Sequence, residues 1–448
     1  MVDGDRLDLK ITRCFKMTEG PLTLPGILPG RVRMPAGLLF QSCEGRKADC
    51  TMSIPIEDAV ALALGCAPVL EEEEVPLAEA LDRILSRQVC SAMAQPPFDR
   101  SPLDGYAVRS VDIAQAARQC PATLQVIEKL YAGQAAQAAV GPRQAVRLMT
   151  GAMIPQGADC VIRQEDTDLG ETVVQIYAPV PSGGNFCRAG EEYAAGDVLL
   201  CPEQKVDAAA AAVAAGAGMT HLPVCRRARA AVITTGDEIC QPGCPLAAGK
   251  IYDSNSAYLT ARLRQLGVLI TKTCAVDDTL GDIVSALESC GDCDLILTTG
   301  GVSVGQKDLL EAAVCAFGAE VVFHGIAIKP GMPTLLAKRG KTLILGLSGN
   351  PFSAAVPFEL LLRPVLAKMT RDPDLVPRER WGTAANRFPK PSPVRRFLRA
   401  RCDGGTVSMP TAQSNGQMRS MIGCNCLVDI PAGSGVIRPG DRVRLHLL

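Results

Sequence analysis

From Arg229 onward the sequence alternates between short apolar runs and helical patterns, and this alternation limits the fold more than any other feature. The apolar runs lie at residues 230–234, 269–276, 294–298 and 343–345, and the helical patterns at 256–266, 281–290, 309–317 and 353–366. Strands that alternate with helices predict a parallel sheet covered by helices on both faces. We therefore expect a doubly wound α/β domain at residues 225–371.

The remaining sequence predicts three other kinds of segment. Residues 1–51 carry Gly and Pro without sustained periodicity, which predicts a disordered extension. Residues 52–97 and 189–224 predict a helical and extended linking domain, with a helix after Ser53, a second helix at 76–86 and an Ala-rich helix within 196–220. Between them, residues 98–188 predict a β-rich insert made of short strands and turns. The tail at 372–448 reads as a small β domain, for which we favour a barrel.

Composition excludes several classes of protein. The 448 residues are 47% hydrophobic and carry a net charge of −1, so bulk charge favours neither nucleic acid nor an anionic membrane as a partner. The longest apolar run, residues 208–218, is far shorter than the ~20 residues of a membrane helix. The 19 cysteines lie mostly in apolar runs, as reduced thiols do, so we expect a cytoplasmic protein.

A glycine-rich loop follows the predicted strand 294–298 and precedes a helix. Glycines allow backbone N–H groups to turn toward a ligand, and a helix N-terminus favours an anion, so residues 299–305 suit a phosphate. The spacing matches neither a dinucleotide fingerprint nor a P-loop. The bare Gly300-Gly301 pair is equally compatible with a simple tight turn.

Two further polar loops follow predicted strands of the same sheet, at Thr235–Glu238 and Ser348–Ser353. Ligands of open parallel sheets bind beyond the carboxyl ends of the strands, so the three loops are expected to share one crevice. A carboxylate beside phosphates requires a cation between them, which makes Asp237 a candidate Mg²⁺ ligand. The alternative role for Asp237 is to cap the next element.

Seven ordered motifs within residues 53–448 resemble those of the molybdopterin molybdenumtransferases, a family that includes the gephyrin E domain. They are FDRSPLDGYAVR at 98–109, RLMTGA at 147–152, GEE at 190–192, TGDE at 235–238, GGVSVG at 300–305, KPG at 329–331 and GNP at 349–351. The resemblance implies four domains, a homodimer, and Mg²⁺-dependent insertion of molybdate into adenylylated molybdopterin with release of AMP. It also implies molybdopterin adenylyltransferase as an upstream partner.

The same resemblance implies roles for individual residues. The residues implied as catalytic or metal-linked are Asp104, Thr150, Glu191, Asp237 and Asp278, with Asp237 and Glu191 as the metal ligands. Those implied to bind the pterin phosphate and nucleotide are Gly300, Gly301, Ser303, Gly305, Asp308, Lys329, Gly349, Asn350 and Ser353. Since Asp104 and Glu191 lie in the insert and its hinge, the family's dimer implies a site shared between two copies.

The sequence departs from the family pattern where positive charge is expected. Family members usually continue Lys-Pro-Gly with Lys-Pro, and here the second lysine is replaced by Met332. An arginine run before the acidic motif is reduced to Arg188, and Ser348 replaces a proline. Three readings remain open: a conventional molybdenum insertion enzyme, a paralogue acting on another anion or nucleotide, and a scaffold that binds partner peptides.

Other patterns carry little functional weight. Cys290 and Cys293, like Cys424 and Cys426, have metal-ligand spacing but lack the further ligands of a zinc site. The three histidines, His221, His324 and His446, are isolated in sequence and match no nucleophile and base pattern.

Overall fold

The computed structural model describes residues 53–302 and 309–448, and the predicted extension at 1–51 lies outside this part. The chain begins with helix α1 (Ile56–Cys66), strand β1 (Glu72–Pro76) and strand β2 (Val89–Cys90). The predicted helix at 76–86 is wrong, because only Leu77–Glu79 forms a short 3-10 turn. Pro76 ends β1, and the apolar side chains of Ala80 and Leu85 are buried by long-range packing instead of a helix.

The insert is a five-stranded sheet, as the short β-like runs predict. Its elements are β3 (Gly105–Val108), α2 (Ser110–Ile113), β4 (Ala122–Leu130), β5 (Gln144–Leu148), β6 (Cys160–Arg163) and β7 (Val173–Ile176). The strand order is β6-β3-β5-β4-β7, with β4 and β5 parallel and the other neighbours antiparallel. Both of its faces are covered by buried apolar side chains.

The chain then returns to the segment that it left before the insert. Strand β8 (Val198–Leu200) pairs with β2, and strand β9 (His221–Cys225) pairs along the whole of β1. Between them, α3 (Ala208–Gly216) is the Ala-rich helix, capped by the side chain of Asp207, which accepts a hydrogen bond from the amide of Ala210. The helix is shorter than the predicted stretch because a strand and turns occupy residues 196–207.

The next segment forms the predicted doubly wound α/β domain. Its elements are β10 (Arg229–Thr235), β11 (Ile239–Cys240), β12 (Ile251–Tyr252), α4 (Ser254–Gln265), β13 (Leu269–Val276), α5 (Leu280–Glu288), β14 (Leu295–Thr299), α6 (Leu310–Ala316), β15 (Glu320–His324), β16 (Ile328–Lys329), β17 (Leu335–Arg339), β18 (Thr342–Leu347), α7 (Pro351–Pro357), a π-helical turn (Phe358–Leu362) and α8 (Arg363–Thr370). Residues of α1, α4, α7 and α8 pack on one face of the sheet and residues of α5 and α6 on the other.

The central sheet has the order β13-β10-β14-β18-β17-β15. The first four strands are parallel, as predicted, but β17 and β15 run antiparallel to their neighbours, so the expectation of a wholly parallel sheet is wrong. Strands β17 and β18 are joined by a tight turn at Gly340. Such a turn can join only antiparallel neighbours, because parallel strands need a longer crossover connection. The sheet is therefore parallel where the three polar loops emerge and antiparallel at one edge.

The C-terminal segment is a closed barrel. Its strands are β19 (Glu379–Ala384), β20 (Arg395–Asp403), β21 (Thr406–Ser408), β22 (Cys426–Ile430) and β23 (Arg442–Leu447), and the pairing of β20 with β22 closes the ring. Strand β20 also pairs in parallel with β16 of the α/β domain, where Lys329 lies opposite Arg396. This pairing holds the barrel against the carboxyl end of the α/β sheet.

Candidate active site

Three strand ends meet at one edge of the α/β sheet. Thr234 of β10 lies beside Thr299 of β14, which in turn lies beside Leu347 of β18. The loops that follow these strands line one cleft of about 740 Å³, as expected for the carboxyl ends of parallel strands. Among its lining residues are Thr235, Glu238, Asp278, Gly300, Gly301, Lys329, Met332, Ser348, Gly349, Asn350 and Ser353. Predicted residues from three separate loops thus come together.

The glycine-rich loop needs glycine for two physical reasons. Gly300 and Gly301 have φ angles of +97° and +61°, which side chains disfavour. A Cβ atom on Gly300 would also lie 2.3 Å from the carbonyl oxygen of Thr235, so the backbone of this loop touches the end of β10. The amide of Gly300 donates to Leu347 O at 3.1 Å. Of the predicted loop residues, Ser303, Gly305 and Asp308 lie outside the described residues.

The third loop is fixed by a side chain that the sequence analysis did not identify. Asn255, in the first turn of α4, donates through Nδ2 to Thr299 Oγ1 at 2.7 Å and to Gly349 O at 2.8 Å. It therefore joins the ends of β14 and β18. Asp253 caps the same helix by accepting from the amide of Ser256. A polar Asp-Ser-Asn run at a helix start was the signal that could have found Asn255.

Two carboxyl groups lie side by side at the edge of the cleft. The amide of Asp278 donates to Oδ1 of Asp237 at 3.1 Å. Burial raises the pKa of Asp278, and the negative charge of Asp237 raises it further. Oδ1 of Asp278 is buried without a hydrogen-bond partner. Two adjacent carboxyl groups, one with an oxygen that has no partner, form the kind of oxygen donor set that a hard cation binds.

The described residues do not complete a metal site by themselves. Within 53–302 and 309–448, no group of three or more His, Cys, Asp or Glu side chains is placed to hold a metal ion. Mg²⁺ commonly binds through one or two carboxylates together with water and substrate phosphates. Asp237 and Asp278 fit that smaller requirement.

The barrel supplies two residues of the cleft, Val394 and Asn415, that sequence reasoning missed. Asn415 accepts a hydrogen bond through its backbone oxygen from the amide of Phe352 at 2.9 Å. Arg399, fully buried, places its guanidinium 3.8 Å from the centroid of the Phe352 ring and donates to Ser414 O at 2.6 Å. No local pattern in the sequence connects residues so far apart along the chain.

The remaining predicted residues lie in the insert and its hinge. Asp104 Oδ1 accepts hydrogen bonds from the amide and the hydroxyl of Thr150, both at 2.7 Å, and these bonds lower the pKa of Asp104. Glu191 Oε2 accepts from the amide of Arg188 at 3.0 Å. None of Asp104, Thr150 and Glu191 lines the cleft of its own chain. The predicted residues that the structure describes therefore form two groups, one in or beside the cleft and one in the insert and its hinge.

Three family models match the chain in succession. The MoeA N-terminal region (domain I and II) matches residues 54–218, the probable molybdopterin binding domain residues 231–368, and the MoeA C-terminal region (domain IV) residues 382–448. The molybdopterin molybdenumtransferase of Bacillus subtilis (strain 168) is 33% identical over 406 residues, which cover 88% of this chain and 94% of the relative. The chain belongs to the molybdopterin molybdenumtransferase family.

Other relatives agree with this assignment. The molybdopterin molybdenumtransferase of Staphylococcus aureus (strain MRSA252) is 34% identical over 400 residues, with 88% of this chain and 95% of the relative covered. The crystal structure of a molybdopterin biosynthesis MoeA protein from Pyrococcus horikoshii has a TM-score of 0.79 at 29% identity, covering 88% of this chain and 99% of that one. The resemblance, the fold class and the enzyme class inferred from sequence are thus confirmed.

Met332, the residue at the position where family members usually carry a lysine, lies in the cleft. Met332 is 56% exposed and shares the cleft lining with Lys329. Its backbone is fixed, since Met332 O accepts from the amides of Ile326 and Thr334, both at 2.8 Å. A longer, charged side chain at this position would have open space in front of it.

Among the helices of the described residues, none is both long and apolar enough to cross a membrane.

Proposed function

We propose that this enzyme inserts molybdate into adenylylated molybdopterin in a Mg²⁺-dependent reaction of molybdenum cofactor biosynthesis that releases AMP. The observation that carries the proposal is the cleft itself. It combines glycine loops suited to phosphate with an acidic pair suited to a cation, at the carboxyl edge of a domain that matches a molybdopterin-binding model.

Different residues of the chain would bind different parts of the substrates. The backbone at Gly300 and Gly301, where no side chain blocks a close approach, and the start of α7 with Asn350 and Ser353 would receive the phosphates of the substrate. The exposed ammonium of Lys329 would attract molybdate into the same cleft. Asp237 and Asp278 would hold Mg²⁺, which supplies positive charge against the phosphates.

We further propose that the active form is a homodimer with composite sites. Asp104, Thr150 and Glu191 carry the acidic chemistry expected of the site but do not line the cleft of their own chain. The insert of a second copy would bring them over it, and Glu191 would then complete the Mg²⁺ ligands. Molybdopterin adenylyltransferase would supply the substrate.

Mixing two inactive variants tests the composite site. Asp104→Asn and Asp237→Asn each damage a different half of the site, so a mixed dimer contains one intact site. Subunit exchange between equal amounts of the two purified variants, without unfolding, should restore about a quarter of wild-type activity, because half of the dimers are mixed and each has one intact site of two. Absence of recovery, with mixed dimers shown by mass spectrometry, would place both residues in the same copy's site.

The reaction class is tested by the contents of the protein purified from cells with an intact cofactor pathway. Bound molybdenum and pterin are expected in comparable amounts. Protein that carries nucleotide but neither molybdenum nor pterin would favour a paralogue with another substrate.

A further inference from the structure

His324 contacts the glycine-rich loop and is not one of the residues that line the cleft. Its Nε2 lies 2.9 Å from the carbonyl oxygen of Val302, the residue after Gly301. Its Nδ1 lies 2.6 Å from Oε2 of Glu311, in the first turn of α6. The imidazole, 13% exposed, therefore bridges the loop and the helix that follows it.

Both neighbours of the ring are hydrogen-bond acceptors, one a backbone carbonyl and the other a carboxylate. An N–H at Nε2 donates to the Val302 carbonyl, and the Glu311 carboxylate lies against the other ring nitrogen. The two contacts together fix the position and the plane of the imidazole.

The two glycines of the loop are held by backbone hydrogen bonds. The amide of Gly300 donates to Leu347 O, and Gly301 O accepts from the amide of Leu310, both at 3.1 Å. His324 is thus, within the described residues, the side chain that holds the carbonyl of Val302. Val302 itself is buried and lines the cleft, so a shift of its backbone would move Gly300 and Gly301.

We propose that His324 is a positioning residue for the glycine-rich loop: held by Glu311, it fixes the Val302 carbonyl and so keeps the backbone of Gly300 and Gly301 in place beside the anionic part of the substrate. This inference rests on the proposed function only for the nature of that anion. His324 acts through the loop, and it does not itself touch the substrate.

Amide hydrogen exchange of the ligand-free enzyme tests the positioning without any substrate. His324→Leu removes both ring nitrogens, whereas His324→Gln keeps an N–H that can reach Val302 O. We expect exchange across Leu295–Val302 to rise about tenfold in His324→Leu, with a smaller rise in His324→Gln, as for a lost side-chain hydrogen bond. His221→Leu is the matched control, since His221 is exposed on β9, outside the cleft lining.

Kinetics give the second readout. In His324→Leu, the KM for adenylylated molybdopterin should rise about tenfold with kcat within a few-fold of wild type, and His324→Gln should recover part of the loss. Unchanged exchange in His324→Leu would overturn the inference whatever the reaction. Raised exchange in an enzyme whose wild type shows no turnover would support the positioning role while rejecting the proposed function.

Discussion

The backbone amide of Asp278 donates a hydrogen bond to Oδ1 of Asp237, and this 3.1 Å contact joins the loop after β13 to the loop after β10. The contact keeps two carboxyl groups adjacent although their charges repel. Burial and the charge of Asp237 both raise the pKa of Asp278, so the folded enzyme without a cation bears an electrostatic cost. Two acidic side chains held next to each other at such a cost are typical of a binding site, because the arrangement does not stabilise the fold.

Removing the charge of Asp278 should therefore stabilise the metal-free enzyme. A carboxyl whose pKa is raised by folding is protonated more readily in the folded state, so its contribution to stability falls as pH rises from the unfolded pKa through the folded one. At neutral pH the cost is fully present, and Asp278→Asn should have a higher Tm than wild type in EDTA. The difference should shrink as the pH is lowered toward the ordinary range of an aspartate.

Magnesium should reverse the order of the two Tm values, so that wild type becomes the more stable protein. Saturating Mg²⁺ at ten times its Kd stabilises the protein that binds it by about 1.4 kcal/mol, and Asp278→Asn should gain less. Differential scanning fluorimetry with and without Mg²⁺ measures both effects. A lower Tm for the variant in EDTA would mean that Asp278 serves the fold.

Asp237→Asn and Asp104→Asn should each leave the fold intact and reduce Mg²⁺-dependent turnover by about 10²-fold or more, the usual loss for a catalytic acid, base or electrostatic group. Both side chains lie in loops, so the far-ultraviolet circular dichroism spectrum and the Tm should change little. Asp58→Asn, on the exposed face of α1, is the matched control. Turnover equal to wild type at saturating Mg²⁺ would remove either residue from the site.

Deletion of residues 1–51 should change neither thermal stability nor activity, because this segment lacks the apolar periodicity needed to dock on a core. Scanning calorimetry and turnover of the truncated enzyme check this. A fall in Tm of several degrees would show that the segment packs.

Met332→Lys should strengthen the dependence on molybdate. Two unit charges at 4 Å attract by about 4 kcal/mol in a surface-like dielectric, but solvent and the ordering of the flexible side chain reduce this to about 1 kcal/mol, a several-fold change in affinity. Met332 is exposed in the cleft beside Lys329, so the added ammonium has room. Titration of AMP release with molybdate should give a lower half-maximal concentration, and a steeper loss with salt.

The matched control for this substitution is Met332→Gln, which adds length and polarity without charge. If both variants shift the titration equally, the effect is not electrostatic. If the lysine variant leaves the titration unchanged or weakens it, the anion is held elsewhere in the cleft or is not molybdate.

Local sequence patterns predicted the parts of the fold whose apolar runs are continuous. Strands β10, β14 and β18 are buried on both faces, so they read directly as apolar runs. Strand β13, at the sheet edge, instead alternates exposed and half-buried residues. The antiparallel strands were missed because β15 is only partly buried and β17 ends in Lys338 and Arg339. The false helix at 76–86 shows the opposite error, where pairing of β1 with β9 overrides a local helical pattern.

The site was predictable where a motif follows a strand, and not where distant segments meet. Gly300 and Asn350 each follow an apolar run, so the sheet's geometry brings them together in the cleft. Asp237 also follows an apolar run and lies beside Asp278 at the cleft edge. Asn415 and Val394 reach the cleft only because β20 pairs with β16 and Arg399 holds the adjoining loop. His324 lacks a sequence motif because its partners, Val302 and Glu311, are brought to it by packing of α6 on β15.

The most direct test of the proposed reaction is a single-turnover assay with purified enzyme, adenylylated molybdopterin and Mg²⁺, in which AMP and molybdenum-bound pterin are both quantified with and without molybdate. We predict that AMP release depends on molybdate and equals the molybdenum inserted, mole for mole. AMP release that is independent of molybdate, or molybdenum insertion without AMP, would contradict the proposed reaction.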